Sequence, residues 1–134
     1  MTEAETIVRR FYAALAQGDS AAAFALLDPA VEWTEAERSP YYAGTVSGAV
    51  AIVATVFAPI MRDFDDFAST PSDFVSQDDR TVSFGFYTGR VRNGGANLKA
   101  SFVHVWTVRA GRIVRFAQHT DTAAWAEALD RKSV

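Results

Sequence analysis

The sequence contains no cysteine among its 134 residues. This absence excludes disulfide bonds, a thiol nucleophile and any cysteine-ligated metal site, and it is compatible with a reducing cytoplasm. Basic runs are missing too, since the thirteen Lys and Arg are scattered through a chain of net charge -3. No apolar run is long enough to cross a bilayer, and the acidic N-terminal segment is unlike a signal peptide. We therefore expect a cytoplasmic protein that binds neither nucleic acid nor membrane.

What the chain does contain is bulky aromatic residues: ten Phe, four Tyr and three Trp. Its length suits a single domain with a real core, and no repeat, low-complexity tract or linker composition interrupts it. We expect one domain over residues 1–134, in which these rings fill a core, a pocket or an interface.

Helical periodicity dominates the N-terminal half. Thr2 and Glu5 form a capping box before a first helix that ends near Gly18, and a second, short helix fits residues 21–27. A third fits residues 47–61, where we expect Pro59 to kink the helix or end it early.

The C-terminal half changes to the period of a β-strand. Residues 31–34 already alternate as a short strand, and a polar loop follows over residues 35–44. Four longer strands in a meander are then predicted near residues 64–76, 80–92, 97–109 and 112–121, before a short helix over residues 122–129.

The strand near 97–109 is apolar on both faces. One face carries His104 among apolar side chains, and the other carries Val103 and Val105. A sheet that helices cover on one side needs only one apolar face. We therefore expect the second face to pack against another copy, which gives a homodimer through the outer sheet face.

Seven short segments, in a fixed order, carry a resemblance to a known family. They lie at residues 8–12 (VRRFY), 18–19 (GD), 31–33 (VEW), 42–44 (YAG), 102–108 (FVHVWTV), 111–113 (GRI) and 121–124 (DTAA). Together they resemble the nuclear transport factor 2-like superfamily, in particular its SnoaL-like, ketosteroid-isomerase-related small bacterial members.

The resemblance implies an α+β fold, a cone-shaped barrel in which a strongly curved antiparallel sheet wraps around N-terminal helices (cystatin-like, SnoaL-like). It also implies a deep pocket. Relatives include isomerases, dehydratases, polyketide cyclases, epoxide hydrolases and non-catalytic binding proteins, so no single reaction follows from the fold.

His104 is the first catalytic candidate. It lies mid-strand between Phe102 and Trp106 on the expected concave face. It matches the position where related steroid isomerases keep a carboxylic acid that donates a hydrogen bond to a developing oxyanion. An imidazole there can donate that bond or act as general acid or base near neutral pH. The alternative is a buried histidine tied to one structural partner.

Other family positions depart from the pattern. On the same alignment Phe11 stands in place of the oxyanion-hole tyrosine, and Trp33 and Thr34 in place of the general-base aspartate. Gln118 stands where SnoaL-like cyclases keep an acidic residue. These departures argue against both steroid isomerisation and polyketide cyclisation.

A carboxylate partner for His104 is expected at Asp121, although Asp121 is also well placed to cap the final helix. Glu35 and Glu37 are alternatives that are more often solvated loop charges. His119 and Asp121 share a strand face, but they face away from Gln118, so we expect no metal and no other cofactor.

The expected pocket binds a small hydrophobic or carbonyl-bearing molecule. Its predicted ligand-binding residues are Trp33, Tyr42, Phe57, Phe84, Phe86, Phe102, Trp106, Phe116 and Gln118, with Tyr12 as a further candidate. The function predicted is a cofactor-independent isomerase, lyase or hydrolase that works by proton transfer. The alternatives are a non-catalytic ligand-binding module and a dimerisation module with a filled interior.

Overall fold

The computed structural model describes residues 1–130. Its first helix, α1, spans Glu3–Ala16, and the Thr2 hydroxyl caps it by accepting a hydrogen bond from the Glu5 amide at 3.1 Å. Helix α2 spans Ser20–Phe24. It ends earlier than predicted because the chain from Leu27 onward pairs as a strand, beginning opposite Ile113.

The third helical segment runs unbroken from residue 49 to residue 63 in three parts. Helix α3 spans Ala49–Ile52, a π-helical turn spans Val53–Phe57, and helix α4 spans Ala58–Asp63. Pro59 therefore does not end the helix. A proline has no amide proton and its ring clashes with the carbonyl four residues earlier, and the wider π turn accommodates that clash.

Six strands form one sheet in the order β2-β1-β6-β5-β4-β3. Their bounds are β1 Leu27–Thr34, β2 Thr45–Ser47, β3 Phe64–Gln77, β4 Arg80–Val91, β5 Asn97–Arg109 and β6 Arg112–Thr120, and helix α5 follows at Thr122–Asp130. The predicted four-strand meander is confirmed as β3 to β6. Strand β1 joins it in parallel to β6, and the short strand β2, which was not predicted, extends the edge.

Strand β3 is irregular along its pairing with β4, and irregularities of this kind bend a sheet. The pairing of these strands shifts register twice, between Asp65 and Ala68 and between Pro71 and Asp73. Gly85 lies opposite the second shift, and a Cβ atom there would stand 2.2 Å from the Thr70 carbonyl oxygen. Only glycine fits such a close backbone approach, and this lets the sheet curl around α1.

The α+β fold with a curved six-stranded sheet confirms the predicted fold class. Helix α1 lies across the concave face, where it contacts β3, β4, β5 and β6. On β5 the even-numbered residues from Leu98 to Val108 are buried, as predicted. Among the described residues, no helix is both long and apolar enough to cross a membrane.

The prediction that Phe84 and Phe86 on β4 face the interior is wrong. Ser83 pairs with His104 in the β4–β5 register, and the buried residues of β4 are Thr81, Ser83, Gly85, Tyr87 and Val91. Phe84 and Phe86 point to the outer face, where 38% and 44% of their surface is exposed. Because most of the interior side chains of β4 are small or polar, hydrophobicity alone indicates the opposite face.

Candidate functional site

A small cavity lies between α1, the segment from α3 to α4 and the concave face of the sheet. Its volume is about 40 Å³, which is room for about one or two water molecules. Most of its wall is aromatic and aliphatic, and its polar lining residues are Tyr12, Glu35, Ser69, Tyr87, His104 and Gln118.

His104 is held at both ring nitrogens. The Tyr12 hydroxyl hydrogen-bonds to Nδ1, and the Tyr87 hydroxyl lies 2.5 Å from Nε2. The imidazole also stacks on the Phe102 ring, with centroids 3.9 Å apart and planes 4° from parallel. Burial lowers the pKa of His104 well below its ordinary value of 6.5, so the ring is neutral at physiological pH.

The network continues from both tyrosines. On one side the Tyr12 hydroxyl lies 2.7 Å from Ser83 Oγ, which accepts a hydrogen bond from Trp106 Nε1 at 2.9 Å. On the other side Gln118 Nε2 donates to the Tyr87 hydroxyl at 2.7 Å. The amide N–H of residue 36 donates to Gln118 Oε1 at 3.0 Å, which fixes the orientation of the Gln118 amide.

Glu35 places a carboxyl group inside the domain. It continues the alternation of Val31 and Trp33 beyond the end of β1, and only 4% of its surface is exposed. Its Oε2 accepts a hydrogen bond from Trp33 Nε1 at 3.0 Å. Burial raises the pKa of the Glu35 carboxyl from 4.5 to about 7, against the opposing effect of hydrogen bonds with Trp33 and Gln118.

The family model described as the SnoaL-like domain matches residues 8–116. The chain belongs to the SnoaL-like family. This confirms the resemblance drawn from the sequence segments. A comparison with proteins of curated function gave no match.

Several solved structures overlay most of this SnoaL-like domain. An NTF2-like protein from Burkholderia thailandensis E264 is 35% identical over 96% of this chain and 98% of its own, with a TM-score of 0.88. An NTF2-like protein of unknown function from Burkholderia pseudomallei K96243 is 30% identical over 96% and 98%, with a TM-score of 0.85. TerC, co-crystallised with polyporic acid, is 26% identical over 96% and 99%, with a TM-score of 0.84.

Several predicted site residues meet in the cavity of this SnoaL-like domain. Those that line it are Trp33, Phe57, His104, Trp106, Phe116 and Gln118, and Tyr12 joins them. Phe102 is buried directly behind His104. The aromatic walls are tightly packed, with the Trp33 and Phe116 ring centroids only 3.8 Å apart.

Other predicted site residues lie outside the cavity. Phe84 and Phe86 are on the outer sheet face, and Tyr42 is 46% exposed beside Pro40 in a separate surface groove, so the prediction that these three line the pocket is wrong. Their surroundings explain this, since Tyr42 sits in a turn and the two phenylalanines occupy outward positions of β4.

Asp121 does not reach His104. It is exposed, and its Oδ1 accepts a hydrogen bond from the Ala124 amide at 3.2 Å, which is the capping alternative. His119 is also exposed, on the side of β6 opposite Gln118. Within residues 1–130 no group of three His, Cys, Asp or Glu side chains is placed to hold a metal ion.

Three residues of the site were missed as site residues or ranked low. Glu35 is one of the alternative carboxylates named from the sequence, and its alternation with Val31 and Trp33 is the signal that favours burial over a solvated loop charge. Ser83 and Tyr87 were missed because the wrong face of β4 was assigned to the interior. The β4–β5 register pairs Ser83 with His104 and Tyr87 with Ala100, so it places both on the same interior face as His104.

Proposed function

We propose that this SnoaL-like domain is a cofactor-independent enzyme that transfers a proton on a small, flat, carbonyl-bearing molecule, with Glu35 as the acid and base. The observation that carries the proposal is a buried carboxyl group at the wall of an aromatic cavity. A general acid or base works best when its pKa lies near the operating pH, and the pKa of about 7 at Glu35 meets that condition.

The surroundings of Glu35 make its carboxylate a strong base. Among the described residues that line the cavity there is no Lys or Arg, and His104 is neutral. The ionised carboxylate therefore has hydrogen-bond donors but no counter-ion beside it. Such a carboxylate gains more from taking up a proton than one in water does.

The proposed step begins with the Glu35 carboxylate removing a proton from the carbon next to a substrate carbonyl. The electrons of the broken C–H bond move onto the carbonyl oxygen, which becomes an enolate. A hydrogen-bond donor of the cavity wall stabilises that oxygen. Protonated Glu35 then returns the proton, either to another carbon in an isomerisation or to a departing group in an elimination.

The aromatic wall favours a flat substrate. Phe11, Trp33, Trp106 and Phe116 pack around the polar groups, and flat rings stack well on such surfaces. The likeness to TerC, which was co-crystallised with polyporic acid, supports an aromatic ligand with ring oxygens.

Entry of such a ligand requires side chains to move, because the cavity of about 40 Å³ is much smaller than the pockets that hold metabolites. Phe57 and Phe67 line the cavity and are only half-buried. We propose that these two rings swing outward to admit the substrate.

A structural module is the second candidate, and the small cavity volume favours it. In that case the aromatic rings stay in place and the domain serves only to bring two copies together. This reading gives no reason for an ionisable group at this position, because a neutral polar side chain could accept the bond from Trp33 Nε1 without the cost of burying a charge.

The test is hydrogen exchange into aromatic ketones. 1-Indanone and 2-tetralone are incubated with the protein in D₂O, and loss of the α-proton signals is followed by NMR. We expect the wild-type protein to accelerate exchange, Glu35→Gln to lose at least about a hundredfold of that acceleration, and the exposed-loop control Glu37→Gln to keep it. No acceleration by the wild type, together with no binding of polyporic acid, would favour the structural module.

A further inference from the structure

The groups in the hydrogen-bonded chain through His104 carry one more O–H or N–H proton than the chain has hydrogen bonds. Three contacts join Ser83 to Tyr12, Tyr12 to Nδ1 of His104, and Nε2 of His104 to Tyr87. Each contact needs one proton. The three hydroxyl groups and the neutral imidazole supply four, so one proton must point away from the chain.

Both ends of the chain are fixed as acceptors. The Trp106 indole can only donate, so Ser83 Oγ accepts from it. Gln118 Oε1 accepts from a backbone N–H, so its Nε2 is the atom that faces Tyr87 and donates to the Tyr87 oxygen. The surplus proton therefore belongs to one of the three hydroxyl groups, and the histidine tautomer decides which.

The two tautomers place the surplus proton differently. If Nε2 carries the imidazole proton, Ser83 donates to Tyr12, Tyr12 donates to Nδ1, and Nε2 donates to Tyr87, whose own proton is then free. If Nδ1 carries it, Tyr87 donates to Nε2, and the free proton is on Tyr12 or Ser83.

Ser83 is a poor place for a free proton. It is completely buried and does not line the cavity, so a hydroxyl proton without an acceptor there would destabilise the fold. Tyr12 and Tyr87 both line the cavity. Tyr87 is joined through Gln118 to the backbone N–H of residue 36, directly after Glu35, whereas the hydrogen-bond partners of Tyr12 are Ser83 and His104. A free hydroxyl proton on Tyr87 therefore lies nearer the Glu35 carboxylate, which favours it. Burial raises the pKa of Tyr87, and the Glu35 carboxylate adds to the rise.

From this arrangement we infer that His104 is fixed as the Nε2–H tautomer and that Tyr87 presents its hydroxyl proton to the cavity, as the donor that binds a ligand oxygen. His104 then acts as a positioning residue. Tyr87 accepts two hydrogen bonds while it donates one, which polarises its O–H group and strengthens the bond it gives. The ligand class is a molecule with an acceptor oxygen, a carbonyl or an enolate.

The inference deepens the proposed function, because it names the donor for the substrate oxygen, but its first test needs no substrate. In protein labelled with ¹⁵N-histidine, long-range ¹H–¹⁵N correlation spectra distinguish the protonated ring nitrogen from the bare one. We expect His104 to show a protonated Nε2 and a bare Nδ1, unchanged between pH 6 and 8. A protonated Nδ1, or a doubly protonated ring, would overturn the inference whatever the protein binds.

The second test measures binding of polyporic acid by calorimetry. We expect Tyr87→Phe to weaken binding about tenfold or more. The control Tyr41→Phe removes a tyrosine hydroxyl that donates to Asp63 at 2.9 Å, outside the cavity, and should leave binding unchanged. Equal affinities for Tyr87→Phe and wild type would refute the donor role. If the wild type binds no polyporic acid while the Nε2–H tautomer is observed, the proton arrangement stands and the proposed ligand class fails.

Discussion

Replacing Glu35 with glutamine should stabilise the folded protein above neutral pH, and the gain should disappear in acid. Glutamine keeps the shape of the side chain and an oxygen that can accept the bond from Trp33 Nε1, which is 3.0 Å long in the wild type. It removes the charge and replaces one oxygen with an NH₂ group, and only the loss of the charge makes the difference depend on pH. The comparison therefore isolates what it costs the fold to hold an ionised carboxylate at this buried position.

The magnitude follows from the pKa. Burial raises the pKa of Glu35 from 4.5 to about 7, and each pH unit corresponds to about 1.4 kcal/mol, so ionising the folded protein costs about 3 kcal/mol. Between these two pKa values the folded state holds a proton that the unfolded state has released. Stability therefore falls as pH rises through this window, and above it the full cost is present.

The assay is urea unfolding of both proteins at pH 4.5, 6 and 8.5. We expect Glu35→Gln to match the wild type near pH 4.5 and to exceed its free energy of unfolding by about 3 kcal/mol at pH 8.5. Glu37→Gln, at an exposed position of the same loop, should show no such divergence. A difference that is independent of pH, or a less stable Glu35→Gln at pH 8.5, would refute the assignment of Glu35 as a strained interior acid.

Three further predictions concern the frame around the site. Gly85→Ala should destabilise the fold by roughly 2 kcal/mol or more in thermal or urea unfolding, because the new Cβ atom would stand 2.2 Å from a backbone oxygen. The control Gly89→Ala should cost less than about 1 kcal/mol, because the nearest atoms to its Cβ are 3.4 Å away. Asp121→Ala should destabilise the fold by about 1 kcal/mol, because it removes a helix cap, and it should leave hydrogen exchange of the ketones unchanged. A loss of that exchange would show that Asp121 takes part in catalysis. We propose that two copies of the chain pack together through the outer sheet face, where Phe84 is exposed. Light scattering should then find a dimer for the wild type and a monomer for Phe84→Lys. A monomeric wild type would contradict the proposal.

The fold was predictable from the sequence because its signals are local and agree with one another. The turns at Asp78, Asn93 and Ala110 all adopt the positive φ angles that tight turns require, so the meander of β3 to β6 follows from them. Strand β2 was not predictable, because three residues carry too little periodicity. It exists only because β1 offers an open edge beside it.

The interior of the site was less predictable, because a two-residue period does not say which face points inward. On β5 the larger apolar residues face the core, and that assignment was right. On β4 the hydroxyl groups of Ser83 and Tyr87 face inward and bond to interior side chains. Their partners, Tyr12 on α1 and His104 on β5, make these polar residues stable inside, and the sequence does not show that these side chains meet.

The energetic cost of the polar cluster weighs against a purely structural role. A domain that only needed a filled interior could place apolar side chains at Glu35, Ser83 and His104 and avoid the desolvation of their polar groups. Glu35 alone carries a cost of about 3 kcal/mol at high pH, against a total stability of roughly 5–15 kcal/mol for ordinary domains. Costs of this size are concentrated at functional sites, where a perturbed acid or base does chemistry that an ordinary one cannot. Because the Glu35 carboxyl group, the neutral His104 and the Tyr87 hydroxyl all line the same cavity, we propose that the proton transfer takes place there.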